Sequence, residues 1–88
     1  MIRVTKTEEE SLTIVTIDGE LSGGSIAIVE SACSQAKSIG KPVHLFLRDV
    51  TTVDQEGQML LSRLAANGVL LAARGVYTSY LVQLLTSA

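Results

Sequence analysis

Tryptophan is absent from this 88-residue chain, phenylalanine and histidine occur once each, and tyrosine occurs twice. So few rings supply no stacking platform for single-stranded nucleic acid. Seven basic residues stand against nine acidic ones, a net charge of −2, so the basic excess that neutralises phosphates is missing as well. Nucleic acid is not an expected partner. Cys33 is the single cysteine and His44 the single histidine. An internal disulfide is impossible, and no second His or Cys stands at metal-ligand spacing. Neither a metal nor a cofactor is expected. No basic segment followed by an apolar core opens the chain. Its longest apolar runs, such as 68–73, fall far short of the roughly 20 residues that span a bilayer. The expectation is a cytoplasmic protein in a reducing compartment, with no direct membrane insertion.

Hydrophobic residues make up 47% of the chain and charged residues 18%, a balance that favours folding over disorder. At this length residues 1–88 read as one domain, near the size where burial only just outweighs conformational entropy. The stretch 43–64 organises the rest. Val43 to Leu47 is apolar and β-prone and reads as a buried strand. Arg48, Asp49, Thr51, Thr52 and Asp54 then break the run, and from Gly57 onward Leu60, Leu61 and Leu64 share one helix face. Asp54 stands where an N-cap is wanted, and Glu56 adds negative charge at the positive end of the helix dipole. The pattern predicts a strand, a short loop and a helix.

Upstream, Ile2–Lys6 and Leu12–Ile17 read as an antiparallel hairpin around the solvated acidic turn Glu8 to Ser11, and Asp18-Gly19 is expected to close the second strand. Ser22 and Ser25 are candidate N-caps for a helix whose inward stripe is Ile26, Val29, Cys33 and Ala36. Gly40 ends that helix, and Pro42 prevents its continuation. Downstream, Asn67-Gly68 stops the central helix, Val69–Ala73 forms a short strand, and Arg74-Gly75 turns into a last helix. Tyr77, Tyr80, Leu81, Leu84 and Leu85 are expected on its packed face, with Thr78, Gln83 and Thr86 elsewhere. The element order β-β-α-β-α-β-α implies an α/β domain with a mixed sheet, since strands joined by helices favour parallel crossovers.

Catalytic chemistry is hard to assemble from these residues. Cys33 lies mid-helix on the apolar stripe, where burial disfavours the thiolate, and His44 sits in a strand, pointing away from Val43, Leu45 and Leu47 and beside Phe46. Asp49, Asp54 and Glu56 suit capping and loop solvation better than acid–base work. Leu21-Ser22-Gly23-Gly24-Ser25 approaches a signature of ABC-type ATPases, but no phosphate-binding Gly-x-x-x-x-Gly-Lys-Ser/Thr accompanies it. A small-ligand sensor would need a pocket lined with polar groups. No enzyme is expected.

Asp49-Val50-Thr51-Thr52-Val53-Asp54-Gln55-Glu56-Gly57, followed by Met59, Leu60, Leu61 and Leu64, resembles the central segment of STAS domains, the fold of anti-sigma factor antagonists and sulfate-transporter tails. Gly19-Glu20-Leu21 resembles the Gly-Glu-Leu-Asp that precedes the first helix there, with Ser22 in place of the aspartate. The resemblance spans about residues 10–86 and implies a STAS-like mixed sheet packed with helices, in a shortened member. In many members a serine after the aspartate is the phosphorylation switch. Here Gln55 occupies that position, so it is a phosphoacceptor equivalent that cannot be phosphorylated. Glu56 stands one residue later and has two readings, a surface held in a permanently phosphorylated-like state or a favourable first-turn acid, and the second is preferred because a glutamate lacks the geometry of a phosphate. The resemblance implies a non-catalytic protein–protein interaction module in bacterial signalling and transcription regulation. It would bind an anti-sigma or kinase-like regulator through Thr51, Thr52, Asp54, Gln55, Glu56, Gly57 and Met59. The alternative is an accessory subunit of a membrane transport or signalling complex. The short C-terminal end leaves the last helix and the sheet edge to be covered, and a weak homodimer is expected.

Overall fold

Alternating apolar residues near the start of the chain make two long strands, β1 (Ile2–Glu8) and β2 (Thr13–Leu21). They pair antiparallel, with Val4 opposite Ile17 and Glu8 opposite Thr13, around a turn in which the Glu9 N–H donates to the Leu12 carbonyl at 2.8 Å. In this computed structural model, which describes residues 2–86, the chain continues through α1 (Ser25–Lys37), β3 (Val43–Val53), α2 (Gln55–Ala66), β4 (Leu70–Ala73) and α3 (Val76–Thr86). The order β-β-α-β-α-β-α is the one the sequence implies.

The four strands lie in the order β1-β2-β3-β4, with β2, β3 and β4 mutually parallel. Both crossovers step in the same direction across the sheet. Right-handed connections therefore place α1 and α2 on one face, and α3 packs beside α2 and over β4. That layer closes a core of Val15, Ile17, Leu45 and Leu47 from the sheet, with Val29 and Cys33 of α1, Leu60 and Leu61 of α2, and Leu81 of α3. The opposite sheet face carries Ile14, Thr16, His44 and Phe46, with His44 and Phe46 half-buried side by side along β3. His44 thus lies on the face away from Leu45 and Leu47. Cys33 is fully buried, and loss of solvation pushes its thiol up to about 11, so the thiolate nucleophile is disfavoured at neutral pH.

The structure corrects four local expectations. First, β3 does not stop at Leu47 but runs to Val53. Its partners on β2 jump from Leu47 opposite Ile17 to Asp49 opposite Asp18, and from Val50 opposite Gly19 to Thr52 opposite Glu20. Arg48 and Thr51 are therefore extra residues on β3, two bulges that bend the strand and re-aim its side chains. The inward residues become Leu45, Leu47, Val50 and Val53, spaced two, three and three, so the period of two is lost where the strand continues. Second, β2 runs on past Asp18-Gly19 to Leu21, and Gly19 takes a φ of 111° there, a conformation that glycine adopts without a side-chain clash.

Third, neither candidate serine caps α1. Gly24 occupies the cap position without a side-chain bond, and the Ser25 hydroxyl instead accepts from the Ser22 N–H at 2.9 Å and lies 2.8 Å from the Glu20 carbonyl. Fourth, α3 is turned relative to the expected face. Leu81 and Thr78 are buried while Tyr77 and Tyr80 are 51% and 62% exposed. Thr78 tolerates burial because its hydroxyl donates to the Arg74 carbonyl one turn back, at 2.7 Å. The tyrosines are consequently surface residues.

The first bulge also supports an ion pair. Arg48 Nε and Nη2 donate to the two Asp18 carboxylate oxygens at 3.0 and 2.7 Å, a bidentate fork joining β2 to β3. The hydrogen bond from Arg48 holds the Asp18 carboxyl below its ordinary value of 3.8. A carboxylate depressed in the folded state stabilises the fold above its unfolded pKa, and that contribution is lost as pH falls through the folded value. Asp18→Asn is accordingly expected to destabilise at pH 7, with the gap from wild type closing as pH falls through the depressed carboxyl value, below 3.8. Thermal midpoints from pH 7 to pH 2 check this, and a gap constant across that range would contradict the pairing.

Candidate functional site

The junction of β3 and α2 is a single residue wide. β3 ends at Val53, α2 begins at Gln55, and Asp54 between them keeps an extended backbone. Its carboxylate accepts from the Gly57 N–H at 2.8 Å, and its carbonyl accepts from Gln58 N–H at 2.9 Å. This is the N-cap that the aspartate's position predicts. Asp54 N–H in turn donates to the Leu21 carbonyl at 3.3 Å, tying the junction to the end of β2. Asp54→Ala is expected to cost about 0.5–2 kcal/mol, read as a lower unfolding midpoint. An unchanged midpoint would contradict the cap.

Gly57 is the second fixed point. A Cβ there would lie 2.5 Å from the Leu21 carbonyl oxygen and 3.0 Å from Val53 Cγ1. The first turn of α2 therefore rests directly on the backbone at the end of β2, which only a glycine permits. Gln55 and Glu56, on the outer side of this turn, are exposed.

Of the residues proposed from sequence for partner contact, Thr51, Thr52, Gln55 and Glu56 are exposed, and Asp54 is half-buried beneath them. Met59, one turn further along α2, is 54% exposed. Gly57 is buried, so its place in this set is to seat the turn, with no surface of its own to offer.

The structure adds Arg63, Glu30 and Ile28, which the sequence did not single out. Met59, Glu56 and Arg63 of α2 face Ile26 of α1 across an open groove of about 360 Å³. Arg63 spans the two helices by donating to Glu30 at 3.1 Å, while Ile28, 52% exposed, lies on another side of α1 beside Ile2, Ser22 and Ser25. An apolar residue off the buried stripe of a helix is the one sequence signal that could have flagged Ile28. The combination is a shallow surface with apolar side chains at Met59 and Ile26, charges of both signs and an ordered helix start. It suits a protein partner, because such interfaces pair apolar anchors with a polar rim.

Chemistry of other kinds finds less here. Among the described residues, no group of three or more His, Cys, Asp or Glu is placed to hold a metal ion. A groove of about 510 Å³ between α2, β4 and α3 is lined by Ala65, Ala66, Val69, Leu70, Leu71 and Leu85, with Ser62 alone supplying a side-chain hydroxyl. Among the described residues, no helix is long and apolar enough to cross a membrane.

No protein-family model and no curated protein matches the chain. Among solved structures it is similar to an anti-sigma factor antagonist from Mycobacterium paratuberculosis, with a TM-score of 0.81 and 18% identity, covering 96% of this chain and 77% of that one. It is also similar to a part of Mglu, with a TM-score of 0.63 and 22% identity, covering 82% of this chain and 19% of that much longer one. The four-stranded mixed sheet with its helices in the order β-β-α-β-α-β-α is a STAS-like α/β fold.

Proposed function

We propose that this chain is a non-catalytic protein-interaction module of the anti-sigma factor antagonist type. It docks an anti-sigma or kinase-like regulator on the end of β3 and the first turns of α2. The observation that carries the reading is the β3–α2 junction, held by Asp54 and seated by Gly57, in a chain that shares its fold with such an antagonist. Thr51, Thr52, Gln55, Glu56 and Met59 supply the contact surface, and Asp54 and Gly57 position it. Gln55 has no hydroxyl, so binding escapes control by phosphorylation at this position. Glu56 serves α2 as an acid near the positive end of its dipole. The setting is the bacterial cytoplasm, and no reaction is catalysed.

A second reading keeps the surface and changes the partner. The match to Mglu covers 19% of that chain, so a similar fold also occurs as one piece of a larger protein, and the second reading makes this chain an accessory subunit of a membrane transport or signalling complex. Capture from native cytoplasmic extract separates the two, using wild type, Gln55→Ser and Glu56→Ser as baits and mass spectrometry to identify what is held. The antagonist reading expects an ATP-binding, kinase-like regulator on wild type, and phosphorylation and release of Gln55→Ser by that regulator. Transport-complex components on all three baits would replace it with the second reading. Capture by Glu56→Ser alone would make Glu56 a built-in off state.

A further inference from the structure

Charge is distributed unevenly along the chain, and the unevenness falls at one end of the fold. Every Lys, Arg, Asp and Glu lies at or before Arg74, and Arg74 is itself paired with Asp49 at 3.0 Å. α3 therefore carries no charge, and neither does the edge strand β4. The opposite edge, β1, is guarded by Arg3, Lys6 and Glu8, as edge strands usually are. On α3, Tyr77, Tyr80 and Leu84 follow the i, i+3, i+7 spacing of one helix face. They are 51%, 62% and 56% exposed, and Val76 beside them is 90% exposed. The buried side of the same helix is Thr78 and Leu81.

We propose that the chain associates weakly with a second copy of itself about a two-fold axis, α3 packing antiparallel on α3 with Val76, Tyr77 and Tyr80 at the contact. A two-fold interface brings each residue near the axis close to its own counterpart, so any charge there would meet its like. A face without charge is free of that repulsion, whereas the β1 edge and the α1–α2 groove are not. The stripe is also self-complementary. With Tyr80 near its middle, antiparallel packing sets Tyr80 beside Tyr80 and leaves both hydroxyls at the rim, an arrangement suited to tyrosine's apolar body and polar tip.

The area sets the strength. At roughly 200 Å² for a large side chain, the exposed parts of Val76, Tyr77 and Tyr80 amount to on the order of 400 Å² per copy. A standard stable interface buries about 800 Å² per partner, so the dimer is a weak one. This surface is separate from the β3–α2 junction, so it stands or falls independently of the proposed partner.

Sedimentation equilibrium from about 10 µM to about 1 mM tests the proposal. The mean mass is expected to rise from one copy towards two, with a dissociation constant between about 1 µM and about 1 mM. Tyr80→Glu and Val76→Lys, both at exposed positions, are each expected to weaken association at least tenfold while circular dichroism stays that of the wild type. Cross-linking supplies a second readout, because the native Cys33 is fully buried and does not interfere. Under mild oxidation Tyr80→Cys should form a disulfide-linked pair and Met59→Cys should not. A one-copy mass at about 1 mM would overturn the proposal. So would a dimer that folded Tyr80→Glu and Val76→Lys leave unchanged, which would put the contact on another face such as that of Phe46.

Discussion

Replacing Gly57 by alanine is expected to lower the unfolding midpoint by roughly 10–20 °C. The added methyl would sit 2.5 Å from the Leu21 carbonyl oxygen and 3.0 Å from Val53 Cγ1. The first of these is backbone in a paired strand, not the far end of a flexible side chain. The clash is relieved only by lifting the start of α2 off the sheet. That movement strains the 2.8 Å cap bond from Gly57 N–H to Asp54 and loosens Leu60 and Leu61, which are fully buried one turn later. Overpacking of this kind costs about 1–3 kcal/mol, sometimes more, and in a domain this small each kcal/mol moves the midpoint by about 4–8 °C. Gly24→Ala is the control. Its backbone is right-handed helical and a Cβ there meets nothing within 4 Å, so a change of no more than about 1 kcal/mol is expected. Equal midpoints for the two variants would show that α2 does not rest on β2 as described.

Met59→Asp is expected to weaken partner capture by about 30-fold or more without changing the unfolding midpoint appreciably. Met59 is 54% exposed, so the folded state has little to lose. It stands between Glu56 and Arg63 at the groove facing Ile26, where an unbranched, polarizable side chain adapts readily to a partner's surface. Central apolar anchors that become fully desolvated account for 2 kcal/mol or more in typical interfaces, and about 1.4 kcal/mol is a factor of ten in affinity. An aspartate adds the cost of desolvating a charge beside Glu56. Binding within twofold of wild type, in a variant with an unchanged midpoint, would move the docking surface away from α2.

The fold was legible wherever one periodicity ran unbroken. Of the α1 stripe, Val29, Cys33 and Ala36 are buried as their spacing implies while Ile26 is only half-buried at the groove, and the α2 stripe of Leu60, Leu61 and Leu64 is buried. Asn67-Gly68 ends α2, with Gly68 at a φ of 91°. Legibility failed where tertiary pairing changed the local count. The bulges at Arg48 and Thr51 turn a period of two into steps of three, so the second half of β3 looked like a polar loop. On α3 the tyrosines lost the packed face to Thr78, a smaller side chain whose hydroxyl is satisfied by its own helix. Size and local hydrogen bonding decided that contest, and hydrophobicity alone predicted the wrong side. At the candidate site, the Asp54 cap could be read from its spacing to Gly57. The close approach of Gly57 to Leu21 could not, because it joins elements 36 positions apart in the chain, and the groove between α1 and α2 exists only once both helices are in place.

The central claim is that a protein partner docks on the end of β3 and the first turns of α2. The most direct measurement is a titration of isotope-labelled chain with the captured regulator, followed by backbone amide resonances. Shifts concentrated at Thr52, Gln55, Glu56 and Met59, with Thr5 on β1 and Phe46 on the opposite sheet face unmoved, are the predicted result. Shifts centred on Thr5 and Phe46, with the amides of Gln55 and Glu56 unmoved, would contradict it.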